Sequence, residues 1–184
     1  TILFFGRAHP QKGLEYLVKA QPLITQKVPH ARFLIAAHGE DLQRCQKMIG
    51  DQSKFEIIEG VVPADMMATL FQRSSLVALP YVSASTSGVL VTAYSFGKPV
   101  VASRVGCLTE YVQDGISGLL VAPKNVEELA NAISQLLLDE DLRHRMGSNA
   151  EEWMLKMEKS SINQTIGIYE KAISIHSKRA RFKM

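Results

Sequence analysis

The feature that most constrains this chain is a regular alternation of short apolar runs with longer amphipathic stretches. Each apolar run has three to five residues, and each intervening segment is long enough for a helix. The six predicted strands are Ile2–Phe5, Arg32–Ala36, Phe55–Ile58, Leu76–Leu79, Val100–Ala102 and Leu119–Val121. Because strand–helix–strand alternation makes neighbouring strands parallel and buries both sheet faces, the sequence predicts an α/β fold with helices on both faces.

Helices are predicted between the strands and again after the last strand. The helices of the α/β unit are expected at Gly13–Lys27, Asp41–Ile49, Ala64–Arg73, Gly88–Phe96 and Val126–Leu138. After Pro123 only helical patterns follow, at Leu142–Met157 and Ile162–Ile175. We therefore divide the chain into an α/β unit (residues 1–139), C-terminal helices (140–175) and a basic tail (176–184).

Composition excludes several classes of protein. The chain has 184 residues, 46% of them hydrophobic, and a net charge of +3, to which the last seven residues contribute four cations. The rest of the chain is close to neutral, so a nucleic-acid partner is not expected. Two cysteines, Cys45 and Cys107, indicate free thiols in a reducing compartment.

The distribution of apolar residues predicts the cellular location and the domain context of the chain. No apolar run reaches the roughly 18 residues of a membrane span, and no leader precedes the first strand. A cytoplasmic location is expected. The chain starts abruptly in a buried strand, and Trp153, Ile166 and Tyr169 offer apolar surface late in the sequence, so we expect a piece of a longer protein with a partner domain.

The stretch from Ser87 to Glu110 contains two potential helix starts separated by one buried strand. Ser87 and Gly88 precede the first helix, and Gly106 ends the strand before the second. The first N–H groups of a helix lack partners within the helix and attract anions. The pattern therefore predicts backbone amides that face a phosphate group at both helix starts.

A cationic motif follows the first predicted strand. Arg7 and Lys12 lie five residues apart in a loop, Gly6–Gly13, that opens a helix. Two cations beside a helix start suit a diphosphate, because guanidinium and ammonium groups form charge-assisted hydrogen bonds to it. A solvated loop with two surface cations is the alternative. Neither GxGxxG nor a P-loop is present, which argues against those nucleotide sites.

Taken in order, these motifs resemble the C-terminal domain of family-4 glycosyltransferases of the GT-B fold. The resemblance covers almost the whole chain. Its marks are GRxxxxKG at Gly6–Gly13, Glu59-Gly60-Val61, Leu79-Pro80, the run Phe96–Ser103, Val105-Gly106 with Glu110, and Asp114-Gly115 followed by Gly118–Val121. The resemblance implies a Rossmann-like parallel sheet of about six strands with a helical C-terminal tail, forming one half of a two-domain GT-B enzyme.

The resemblance also implies roles for individual residues. Arg7 and Lys12 would be the catalytic cations that neutralise the leaving nucleoside diphosphate, and Gly6 would belong to the same substrate-binding loop. Amides near Ser87, Gly88 and Val89 would add phosphate donors, and residues around Val61 would receive the base. Neither a metal nor a cofactor belongs to this pattern. We interpret Asp139-Glu140-Asp141 as a solvated turn.

Two positions depart from the family. Aligning on Ala93 and Gly97 puts Ala84 and Thr92 where the family usually has two glutamates, one near the donor sugar and one on the ribose. Thr92 can still bond to ribose through its hydroxyl. Ser85, Thr86 and Ser87 are the candidates for replacing the sugar contact.

The expected function is transfer of a sugar, with retention, from a nucleoside-diphosphate sugar to a hydroxyl acceptor in polysaccharide or glycoconjugate synthesis. The partners would be that donor and an N-terminal domain, without which the chain would bind but not turn over. Two alternatives stay open: a nucleotide-sugar epimerase of the same architecture, and a catalytically decayed nucleotide-binding module. The basic tail leaves peripheral membrane contact as an alternative to a solvated terminus.

Overall fold

A single parallel sheet organises the protein. The computed structural model describes the backbone of residues 1–181 and the side chains of residues 1–170 except 161 and 163. The strands are β1 (Ile2–Arg7), β2 (Phe33–His38), β3 (Phe55–Glu59), β4 (Leu76–Leu79), β5 (Val100–Ser103) and β6 (Gly118–Val121). All six predicted strands are present, and their ends agree with the prediction to within two residues.

The strands are ordered β3-β2-β1-β4-β5-β6, and every neighbouring pair is parallel. β1 lies at the centre, where Ile2 is in register with Phe33 of β2 on one side and with Leu76 of β4 on the other. The predicted Rossmann-like α/β fold is therefore confirmed.

Seven α-helices are found in the described part of the chain. They are α1 (Leu14–Lys27), α2 (Leu42–Gln46), α3 (Ala64–Arg73), α4 (Gly88–Ser95), α5 (Leu108–Tyr111), α6 (Val126–Leu138) and α7 (Glu140–Arg181). The predicted helix Asp41–Ile49 is shorter in the structure, because the chain tightens after Gln46 into turns in which Met48 and Ile49 N–H groups donate to carbonyls three residues back.

Helices cover both faces of the sheet and create two apolar cores. The side chains of β1 alternate, with Ile2 and Phe4 in the core beneath α1 and α6, and Leu3 in the core beneath α3 and α4. The four residues of β4 are all buried, as expected of a central strand covered on both sides.

The C-terminal segment is one helix, not two. We predicted separate helices at Leu142–Met157 and Ile162–Ile175, but α7 runs without a break for 42 residues. The intervening residues 158–161 contain neither proline nor glycine, so nothing in them ends a helix. Asp139 Oδ1 caps the start of α7 by accepting the Leu142 N–H at 2.8 Å.

Close backbone packing fixes α7 to the sheet domain. A Cβ at Gly147 would lie only 2.2 Å from the Gly97 carbonyl oxygen, so the helix approaches the α4–β5 turn as only glycine permits. Among the described residues, no helix has the length and apolar character needed to cross a bilayer. The side chains of the predicted basic tail (176–184) lie outside the described residues, although the α7 backbone continues to Arg181.

Candidate functional site

The order of the strands reverses between β1 and β4. From β1 the chain first builds β2 and β3 on one side, and it then returns to add β4, β5 and β6 on the other. In open parallel sheets, ligands bind in the crevice at the carboxyl ends of the two strands where the order reverses. The β1 loop (residues 8–13) and the β4 loop (residues 80–87) flank that crevice.

The two loops are joined by backbone contacts. The Val82 N–H donates to the Gln11 carbonyl oxygen at 2.8 Å. Gly13 has a φ of +66°, and a Cβ at this position would lie 1.9 Å from the Pro80 carbonyl oxygen. The last glycine of the predicted motif is therefore required by the packing of the β1 loop against the β4 loop.

Gly6 brings the end of β1 against the first turn of α4. Its φ is +105°, and a Cβ there would contact Val89 Cγ2 at 3.4 Å. Two of the predicted substrate-binding residues, Gly6 and Val89, are thus neighbours across the crevice.

Lys12, in the β1 loop, lies over an aromatic ring of the β4 loop. Its Nζ is 3.9 Å from the centroid of the Tyr81 ring. Within the described residues this ammonium has neither a carboxylate partner nor a hydrogen-bond acceptor. Burial lowers the pKa of Lys12 below its ordinary value, because partial desolvation disfavours the charged form.

Arg7 is the second cation at this edge. It ends β1, in register with His38 of β2, and its side chain is exposed. No carboxylate neutralises Arg7 in the part of the chain that the structure describes. By contrast, Arg44 is held by Asp41 and Glu15 on the neighbouring helix pair.

The start of α4 presents backbone donors to the same crevice. Ser87 is the N-cap residue, and its Oγ accepts the Leu90 N–H at 3.2 Å. The N–H groups of Gly88 and Val89 belong to the first turn, which the helix itself leaves without partners. The first of the two predicted helix starts is therefore present, and its role as a phosphate-binding turn stays a prediction.

The second predicted helix start is closed. α5 has only four residues, and the Cys107 N–H donates to the Ala84 carbonyl oxygen at 3.3 Å. The next N–H groups, from Leu108 through Tyr111, donate to carbonyls within the same turn. The prediction of anion-facing amides at this start was wrong, because the β4 loop occupies the position that an anion would need.

The predicted sugar and ribose contacts differ in their surroundings. Ser85 and Thr86 are exposed on the β4 loop beside the α4 start. Thr92 Oγ1 donates to the Gly88 carbonyl oxygen at 2.9 Å, so the hydroxyl hydrogen is used within α4 and only its lone pairs are free to accept. Ala84 offers its backbone, which already bonds to Cys107.

Val61 lies farther along the carboxyl edge. It follows β3, which is separated from β1 by β2, and 80% of its surface is exposed. Gly60 fixes the turn before it, with a φ of +121° and an N–H that donates to the Ala37 carbonyl oxygen at 3.0 Å. The structure thus puts Val61 on the same edge as Lys12 but does not bring the two together.

The acidic run Asp139-Glu140-Asp141 lies where α6 ends and α7 begins. Asp139 accepts the Leu142 N–H that begins α7. Among the residues that the structure describes, no group of three or more His, Cys, Asp or Glu side chains is placed to hold a metal ion.

Comparison with known proteins assigns the family. The sequence pattern described as Glycosyl transferases group 1 matches residues 1–139. This chain is a group 1 glycosyltransferase by family. The resemblance drawn from the motifs of Gly6–Gly13 and Phe96–Ser103 is confirmed.

Two curated relatives show the range of this family. The chain is 29% identical over 151 residues to an alpha-D-kanosaminyltransferase of Streptomyces kanamyceticus, a match that covers 81% of this chain and 39% of the relative. It is 34% identical over 158 residues to a D-inositol 3-phosphate glycosyltransferase of Nocardia farcinica, covering 81% and 35%. The chain therefore spans well under half the length of these relatives.

A solved structure of another protein has the same fold. Anabaena HepE, crystallised with UDP-glucose, superposes with a TM-score of 0.76 at 23% identity, over 93% of this chain and 48% of that one. The two proteins therefore share the fold although fewer than a quarter of the aligned residues are identical.

Sequence reasoning on this glycosyltransferase domain missed Tyr81. Its ring supports Lys12 and its hydroxyl lies 3.4 Å from Ser87 Oγ, so it touches both predicted phosphate-binding elements. The only signal in the sequence is an aromatic residue directly after the Leu79-Pro80 strand end, and that signal does not say which residues the ring will face.

Proposed function

We propose that this domain binds a nucleoside-diphosphate sugar and that the whole enzyme transfers the sugar, with retention, to a hydroxyl acceptor in polysaccharide or glycoconjugate synthesis. The observation that carries the proposal is the Lys12 ammonium, which lies over the Tyr81 ring and has no carboxylate partner among the described residues. A half-buried cation that has no counter-ion among the described residues is partly desolvated without compensation, and a bound diphosphate would supply the missing charge.

The proposed chemistry is stabilisation of the leaving group. As the bond between sugar and phosphate breaks, negative charge develops on the departing diphosphate oxygen. Lys12 and Arg7 would neutralise that charge, and the Gly88 and Val89 N–H groups would donate to the phosphate oxygens. Gly6 would let the phosphates approach the backbone, because it has no Cβ.

The remaining contacts follow from position along the crevice. Ser85, Thr86 and Ser87 would meet the sugar, since they end the β4 loop beside the phosphate-binding turn. Thr92 would accept a hydrogen bond from ribose through its free lone pairs, and Val61 would contact the base. Neither a metal nor another cofactor enters this scheme.

The comparisons support a nucleotide-sugar donor. The relatives' names describe sugar transfer, and HepE was crystallised with UDP-glucose. Because this chain spans under half of such relatives, we propose that an N-terminal domain supplies the acceptor site and that the domain alone binds the donor without turnover. We place the enzyme in the cytoplasm, with peripheral membrane contact through the basic tail as the alternative.

Assay of the full-length protein tests this proposal. We expect nucleoside diphosphate to be released only when donor and acceptor are both present, with the donor's anomeric configuration kept in the product by NMR. Release of epimerised donor without an acceptor would instead indicate an isomerase. A nucleotide at 100 times its dissociation constant should add about 2.7 kcal/mol to stability, so failure of all common nucleotides to raise Tm would indicate a decayed module.

A further inference from the structure

Tyr81, in the β4 loop, contacts both the β1 loop and the N-cap of α4. Its ring lies under Lys12 Nζ, which belongs to the β1 loop, at 3.9 Å from the centroid. Its hydroxyl lies 3.4 Å from Oγ of Ser87, the N-cap of α4. Tyr81 as a whole is 2% exposed and belongs to the core beneath the β4 loop, which fixes the position of its ring.

An aromatic face holds an ammonium in a way that a carboxylate cannot. The quadrupole of the ring attracts the cation without carrying a net charge. A carboxylate at this position would form a salt bridge, and an incoming phosphate would have to compete with it for Lys12. The Tyr81 ring therefore fixes the direction of the ammonium and leaves its charge available to a ligand.

The hydroxyl joins the same ring to the backbone donors. Ser87 Oγ accepts the Leu90 N–H at 3.2 Å, which sets the first turn of α4. Its contact with the Tyr81 hydroxyl links that turn to the ring that carries Lys12. One side chain thus contacts both the lysine and the residue that caps the helix carrying the Gly88 and Val89 N–H groups.

A purely structural tyrosine in the same fold provides the comparison. Tyr94 is fully buried in the same core, and its hydroxyl bonds to Ser117 Oγ at 2.7 Å. It resembles Tyr81 in burial and in its serine partner, but its ring neighbour is Trp153 and no cation lies over it among the described residues.

We propose that Tyr81 is a positioning residue that aligns the Lys12 ammonium with the α4 start so that both meet one diphosphate. This inference rests on the proposed function, since it assumes that the crevice binds a nucleoside diphosphate. It adds a specific claim: the contribution of Lys12 to phosphate binding depends on the face of the Tyr81 ring.

Calorimetry on the full-length protein tests the claim with UDP and GDP, each paired with its free nucleoside. Tyr81→Leu should weaken diphosphate binding about tenfold and leave nucleoside binding within about twofold. Tyr81→Phe, which keeps the ring, should stay within about threefold of wild type. Tyr94→Leu is the matched control for loss of a buried tyrosine, and it should change diphosphate and nucleoside affinity equally.

A double-mutant cycle separates positioning from general damage. If Tyr81 acts through Lys12, then Tyr81→Leu should cost little further diphosphate affinity in a Lys12→Met background. Tyr81→Met, which fills more of the ring's volume without a π face, repeats the test should the leucine variant fail to fold.

The outcomes separate this inference from the proposed function. If wild type binds a diphosphate and Lys12→Met weakens it, but Tyr81→Leu does not, the positioning role is wrong and the proposed function stands. A phenylalanine variant as weak as the leucine variant would likewise overturn the role of the ring. If wild type binds neither diphosphate, both proposals fail.

Discussion

Two cations at the amino edge of the sheet bond to the ends of helices, whereas the two cations in the crevice at the carboxyl edge do not in the described part of the chain. At the amino edge, Lys98 Nζ donates to a carbonyl at the end of α3 at 3.3 Å, and Arg143 donates to a carbonyl at the end of α6 at 2.9 Å. Both charges serve helix C-termini, where the helix dipole favours a cation. At the carboxyl edge, Arg7 and Lys12 have no such acceptor within the described residues.

This contrast shows that a cluster of cations does not by itself identify a ligand site. What matters is whether each cation already has an acceptor or counter-ion within the protein. The amino edge contains a polar pocket of about 430 Å³ lined by Lys98, Arg143 and Arg73, yet Arg73 is paired with Glu56 and the other two cap helices. At the carboxyl edge Arg104 is paired with Asp114, whereas Arg7 and Lys12 in the crevice have no carboxylate partner among the described residues and are available to a ligand.

The largest expected effect is a loss of diphosphate affinity when the cations of the carboxyl edge are removed. The double variant Arg7→Ala, Lys12→Ala should weaken nucleoside-diphosphate binding by more than a hundredfold, because each charge-assisted bond contributes about 1.5 to 3 kcal/mol. Its free energy of unfolding should stay close to that of wild type, since among the described residues neither cation has a carboxylate or hydrogen-bond partner, and only Lys12 has a ring contact, with Tyr81. Calorimetry and urea unfolding measure the two quantities, and unchanged affinity would contradict the assignment.

The amino edge should show the reverse pattern. Arg143→Met removes hydrogen bonds to the end of α6 and the contact with Glu140, so the free energy of unfolding should fall by about 2 kcal/mol. Diphosphate affinity should not change. Arg145→Met, an exposed position on the same helix, is the control and should leave stability unaltered. A loss of affinity in the Arg143 variant would erase the distinction between the edges.

Removing the N-cap of α4 should lower the free energy of unfolding by less than the Arg143 substitution does. Ser87→Ala removes the N-cap bond to Leu90 and should cost about 1 kcal/mol in urea unfolding. Ser95→Ala, in the same helix, removes only a hydroxyl bond back to the Val91 carbonyl and serves as the control. Equal losses in the two variants would show that Ser87 does not cap α4.

The smallest expected effect is a pH dependence at Lys12. Its pKa in the free protein is lowered by burial, so it loses its proton at a pH below the ordinary lysine value of 10.5. A diphosphate binds the charged form, and affinity should therefore fall, about threefold, as pH rises toward that value. Lys12→Arg should remove this alkaline loss, because a guanidinium stays charged throughout the range. A parallel loss in both proteins would exclude Lys12 as its source.

Most of the fold could be predicted from the sequence because its signals are local. Apolar runs such as Leu76–Leu79 mark strands regardless of what they pair with, and βα alternation then makes the sheet parallel. The length of α7 was missed for the same local reason: exposed polar residues between two apolar patterns resembled a break, while no residue there ends a helix.

The site was less predictable because it depends on which loops meet. Ser87 and Gly106 each precede a helix in the sequence, yet only the first start is open, since the Ala84 carbonyl closes the second. Tyr81 and Lys12 are far apart in the sequence, and their contact follows from the packing of the β4 loop on Gly13. Neither result can be derived from motif spacing.

The pairing of β1 with β4 also bears on how the protein folds. Ile2 aligns with Leu76 and Leu3 with Val77, so the crevice forms only after a segment of roughly seventy residues has been closed into a loop. Contacts between such distant residues form slowly and raise the contact order of the domain. Ligand-binding competence should therefore appear only when the two halves of the sheet have joined, which makes diphosphate binding a kinetic reporter of that late folding event.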